Sequence, residues 1–174
     1  MNKYIGAVLL FALASCGNTT QDSAKGTDSA AVTAPTAITA VSLKEPTVQA
    51  IYAGYIKLKD ALVNADDKTA REVAKELSAK LSTYDGCENT ALVADKIATA
   101  KTLKDQREEF TSLSSDVIAM FKHADLQAGT IYVQHCPMAN NGDGGDWLSS
   151  NKEIRNPYYG DEMMECGAVV QEIK

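Results

Sequence analysis

Two short stretches concentrate sulfur. Cys136-Pro137-Met138 lies within HCPMANNGDGGDWLS, and Met163-x-x-Cys166 lies within MMECG. Thiolates and thioethers are soft donors. Soft donors select Cu(I), and by the same logic Ag(I), over harder cations. Pro137 fixes its own φ and restrains Cys136, which lowers the entropy cost of holding a thiol and a thioether together. Met163 and Cys166 share one face if their segment is a helical turn, and Met164 then points elsewhere and packs. The expected donor set is Cys136, Met138, Met163 and Cys166, with His135 and His123 as secondary candidates. Strand alternation turns His135 away from Cys136. His123 closes a helix, where the dipole favours a protonated imidazole. Zinc is the second metal, held by the two cysteines with either histidine, although methionine is a poor zinc ligand.

The same cysteines also suit a Cys136–Cys166 disulfide. It would stabilise a loop of that size by roughly 3–4 kcal/mol and would leave both methionines as packing residues. The two readings coexist if reduction exposes the thiolates. A thiol nucleophile needs a nearby base and an orienting group. Only His135 is adjacent, so the chain is read as a binding protein and not as an enzyme.

Which reading applies depends on the compartment. Met1-Asn2-Lys3 is followed by an apolar run from Ile5 to Ala14, too short to span a bilayer, which needs roughly 20 residues. Leu13-Ala14-Ser15-Cys16 resembles the lipobox of bacterial lipoproteins. That resemblance implies a signal peptide over residues 1–15, cleavage before Cys16, and acylation of Cys16. The protein would then sit in the cell envelope, anchored to membrane lipid and facing the periplasm or the surface. Three thiols remain in an oxidising compartment: Cys87, Cys136 and Cys166. The formal charge of −6 argues against nucleic acid as a partner.

These residues need a scaffold. Residues 16–45 are rich in Thr, Ser, Ala and Asp and read as a flexible tether. Residues 46–174 read as one domain, with a helical bundle over 46–124 and the Cys/Met region over 125–174. Apolar residues recur at spacings of three and four behind four start signals. Thr47 is the first cap, before Val48, Ile51, Tyr52, Tyr55, Leu58 and Leu62. Asp66 or Asp67 precedes Val73, Ala74, Leu77 and Leu81. Asn89 precedes Leu92, Val93, Ile97 and Ala100. Thr102 precedes Leu103, Phe110, Leu113, Val117, Met120 and Phe121, and the last two helices are read either as separate or as one kinked helix. The fold class is mainly α with a small β part: an antiparallel three- or four-helix bundle followed by a short β-hairpin and loop region. Strands are expected at Thr130–Val133, Trp147–Leu148 and Val169–Val170, with turns at 140–145 and at Asn156-Pro157.

The motif is also familiar as a whole: Tyr132-x-x-x-Cys136-Pro137-Met138-Ala139, Trp147-Leu148-Ser149, Ile154-x-Asn156-Pro157-Tyr158-x-Gly160 and Met163-x-x-Cys166-Gly167. It resembles a domain family of formerly unknown function from Gram-negative bacteria. Its members occur as small lipoproteins and as a C-terminal extension of periplasmic heavy-metal efflux adaptors. Arg107-x-x-Phe110-x-x-Leu113-Ser114 is similar to the family's helical part. The resemblance implies copper or silver handling and a periplasmic efflux adaptor as partner. The alternative is a disulfide-stabilised envelope interaction or adaptor lipoprotein without metal. Cys-Pro-Met is also similar to the heavy-metal motif of copper pumps, but Ala139 stands where a histidine usually follows.

Overall fold

A computed structural model describes residues 40–174, and Cys16 and the lipobox lie outside the described residues. Four helices follow one another: α1 (Pro46–Val63), α2 (Asp67–Leu81), α3 (Glu88–Thr99) and α4 (Leu103–Phe121). They match the four periodic stretches, and three of the starts have a visible physical cause, while α3 opens at Glu88 behind Cys87, not at Asn89, with no side-chain cap. Pro46 opens α1 at the first helical position, where a missing N–H costs nothing, so Thr47 is not the cap. Asp66 caps α2 by accepting from the Thr69 N–H, and Thr102 caps α4 by accepting from the Asp105 N–H. Ala100 is extended, so α3 and α4 are separate helices.

On α3 the apolar pattern holds at Ile97 and Val93, which face the core, but not at Leu92. Ala91, Ala94 and Ile97 are buried, while Leu92 is 64% exposed. Small residues let α3 approach α2 closely, and the Ser78 hydroxyl donates across to the Ala91 carbonyl (2.8 Å). Cys87 is buried at the start of α3, and burial pushes its thiol up.

Five strands complete the domain. β1 (Ser42–Leu43) pairs antiparallel with β2 (Leu126–Ala128). Leu43 is buried, so packing begins within the stretch read as tether, a few residues before Pro46. β3 (Ile131–Cys136) is the centre of an antiparallel sheet of order β4-β3-β5, with β4 (Gly145–Ser149) and β5 (Ala168–Ile173) at its edges.

The sheet has no core of its own and packs on the bundle. A chain of aromatic contacts runs from α1 to the sheet: Tyr55–Phe110 (5.5 Å), Phe110–Tyr158 (5.9 Å) and Tyr158–Trp147 (6.1 Å). Tyr55 adds a polar link. Its hydroxyl bonds Ser114 Oγ (2.7 Å) and accepts from the Leu148 N–H of β4 (3.2 Å). Arg107 of α4 donates to the Leu62 carbonyl at the end of α1 (2.9 Å). No helix among the described residues is long and apolar enough to cross a membrane.

Candidate functional site

The fold brings Cys136 and Cys166 into contact across 30 residues of sequence. Their Sγ atoms are 3.1 Å apart, and both thiols are free. Cys136 ends β3 and is fully buried, and Cys166 is half-buried just before β5. The approach depends on Gly167. A Cβ there would sit 2.8 Å from the His135 carbonyl and 3.0 Å from the Trp147 ring, and its φ of +147° suits glycine.

Cys166 is held from several sides. Its N–H donates to the Met163 carbonyl (3.0 Å), and its carbonyl accepts from Asn156 Nδ2 (3.1 Å). The Met138 N–H faces its sulfur. The Cys136 thiol, first, and loss of hydration hold the Cys166 thiol above its ordinary value, against the pull of that N–H.

The two thioethers lie outside the thiol pair. Met138 is 52% exposed and Met163 40% exposed. Among the described residues only four large apolar side chains are exposed, and these are two of them. Met163 and Cys166 do not share a helix face. A 3-10 turn covers Gly160–Glu162, and Met163 closes it, so the pair spans a hydrogen-bonded turn. The backbone of Met138 is fixed as well, because the Tyr159 hydroxyl donates to its carbonyl.

Neither histidine joins the thiols. His135 occupies the opposite side of β3 from Cys136, and its Nδ1 pairs with Asp146 Oδ1 of β4 (2.8 Å). Its ring lies over Gly144. His123 follows the far end of α4. Thr111, which donates to Asn140 Oδ1 on the motif side, precedes the helix end at Phe121 by ten residues, about 15 Å of helix, and His123 lies beyond that end. Among the described residues no three His, Cys, Asp or Glu side chains converge as a metal site. The zinc set of two cysteines and a histidine is therefore not assembled.

Two buried amides position the site, and neither was singled out by type or spacing. Asn156 is fully buried. Besides holding the Cys166 carbonyl, it accepts from the Tyr158 N–H through Oδ1 (2.9 Å), and its own N–H donates to the Met164 carbonyl (2.9 Å). Its place before Pro157 marked only a turn. Gln134 is also fully buried. It accepts from Trp147 Nε1–H (2.7 Å) and donates to the carbonyls of Asn151, Glu153 and Lys152 (2.9, 3.1 and 3.2 Å). One side chain thus gathers the loop after β4. The cue available was an amide between the apolar residues Ile131 to Val133 and the Cys136 site, and a buried polar group of this kind is satisfied.

Residues 51–129 match the family model described as a protein of unknown function, DUF3347. The match covers most of the bundle and ends before Tyr132, so the sulfur motif lies beyond it. No curated protein and no solved structure matches the chain.

Proposed function

We propose that this chain is an extracytoplasmic, lipid-anchored protein that captures Cu(I) or Ag(I) and buffers it or passes it to an efflux system. The cargo ion would be taken by the thiols of Cys136 and Cys166 together with the thioethers of Met138 and Met163. The observation that carries this reading is the contact between two thiols 30 residues apart, flanked by two exposed methionines. A purely apolar role for those methionines is disfavoured, because each leaves much of its side chain in water. Methionine is also adaptable, so its sulfur can swing toward a bound ion. The donor set is all sulfur, which suits Cu(I) and Ag(I) and excludes the hard cations.

The test is a Cu(I) competition titration of the reduced protein against a chromophoric chelator. The double variant Met138→Leu, Met163→Leu and the variant Cys136→Ser, Cys166→Ser are run beside it. The expected order of affinity is wild type, then the methionine variant, then the cysteine variant. Affinity no tighter than that of unrelated thiols, or unchanged by loss of the methionines, sinks the assignment.

The 3.1 Å contact also favours a second reading, in which Cys136 and Cys166 form a structural cross-link in an envelope adaptor. A thiol count on the protein as isolated separates the two. Two protected cysteines support the cross-link, and three free thiols oppose it.

A further inference from the structure

Lys59 is out of place. It lies on the buried stripe of α1 with 5% of its surface exposed. A buried ammonium is costly unless its donors are used. Lys59 carries three N–H donors. Among the described residues its one partner is the neighbouring Asp60. The ammonium borders a cavity of about 250 Å³ between α1 and the loop after β4, which Gln134 holds. Tyr52, two turns earlier on the same face, shows the same deficit. It is 4% exposed, and among the described residues its hydroxyl has no partner within hydrogen-bond geometry, although Ser150 is close. Tyr52 borders an adjoining cavity of about 430 Å³ with Val41, Ala53 and Ile56. Ser150 lines both cavities, so they adjoin at this residue.

The charges around the polar cavity define its ligand. Lys59 and Arg155 supply two positive charges, and Asp60 and Glu153 two negative ones. A simple anion would be attracted by one pair and repelled by the other, and so would a simple cation. A zwitterion satisfies both. The neighbouring cavity offers an aliphatic wall. We propose that the two adjoining cavities together bind a free α-amino acid with an aliphatic side chain. Its carboxylate meets Lys59 and Arg155, its ammonium meets Asp60 and Glu153, and its side chain extends past Ser150 toward Tyr52, Ala53 and Ile56. The assignment is independent of the sulfur site.

The experiment is titration of the folded protein with L-leucine, read by calorimetry and by backbone amide NMR. Saturable binding with shifts at Tyr52 and Ser150 is expected. Acetate alone and isobutylamine alone, which carry one charge each, should bind far more weakly. Lys59→Met should lower affinity roughly tenfold or more, the loss of one charge-assisted hydrogen bond. Arg155→Gln, at an exposed position, should weaken binding without touching the core and serves if Lys59→Met does not fold. Cys136→Ser, Cys166→Ser should bind leucine as the wild type does. Absence of saturable binding, acetate binding as tightly as leucine, or unchanged affinity in both charge variants overturns the proposal.

Discussion

Joining Cys136 to Cys166 is the sharpest perturbation available. The sulfurs are 3.1 Å apart and need about 1 Å of closure to bond. The loop closed spans 30 residues. The chain-entropy relation gives a loss of about 12 cal/mol/K for the unfolded chain, or about 3.6 kcal/mol near room temperature. Native strain should take little of this, because Asn156 and Gly167 already hold Cys166 against β3. The assay is urea unfolding of the oxidised and the reduced protein in a Cys16→Ser, Cys87→Ser background, which removes wrong pairings. With a urea slope of roughly 1–3 kcal/mol/M, the midpoint should rise by roughly 1–4 M on oxidation. Peptide mapping identifies the bond. Coincident midpoints despite a mapped Cys136–Cys166 bond would refute the claim that the fold preorganises the pair. Preloading with Cu(I) sharpens the test, since thiolates engaged by the ion should resist oxidation by diamide.

Three further outcomes follow from the packing. Gln134→Leu strands the Trp147 indole N–H and three loop carbonyls and should cost roughly 3–5 kcal/mol by urea unfolding; a loss below about 1 kcal/mol would contradict its role. Gly145→Ala sets a Cβ 2.6 Å from the Tyr158 ring and 3.0 Å from Ala139, and should destabilise by roughly 1–3 kcal/mol through overpacking, read as a lowered melting temperature. Alkaline pH acts through Tyr52, Tyr55 and Tyr158, whose phenols burial pushes far above the ordinary value. A raised folded value means their contribution is intact below about pH 10 and is lost as pH rises above it. Near pH 11 each costs about 1.4 kcal/mol, so stability should fall by about 4 kcal/mol from its value near pH 8, and a flat profile would be inconsistent with three buried phenols.

The helices were legible because each carries a periodic stripe, and α2 and α4 also carry the expected capping residue. The misreadings have local causes. On α3 Leu92 was counted with Val93 and Ile97 on the core stripe because of its size, while Ala91 and Ala94 fill the tight contact with α2. β1 was hidden in a polar stretch. Two residues carry no period, and their partner, residues 126–128, is distant in sequence. At the site, the pairing of two Cys/Met segments was legible from type and spacing. The Met163–Cys166 turn was not, because the same i, i+3 spacing fits a helix and a turn. Gln134 and Asn156 act through amides gathering backbone carbonyls, and such contacts have no sequence period.

The site therefore combines a fixed backbone with adaptable donors. Cys166 is held at its N–H, its carbonyl and its sulfur, and Met138 at its carbonyl by Tyr159. Ordering these groups on binding costs little entropy, because folding has already done so. The thioethers are different: they are exposed, unbranched and joined by several rotatable bonds. Closing them over an ion costs some rotamer freedom, roughly 0.5–1.5 kcal/mol for each. That division suits an ion which must be held and then released. In the proposed function the buried thiol of Cys136 would be the permanent donor, and the exposed thioethers would yield to a competing partner one at a time. A disulfide needs only the fixed half of this arrangement and gives neither methionine a role.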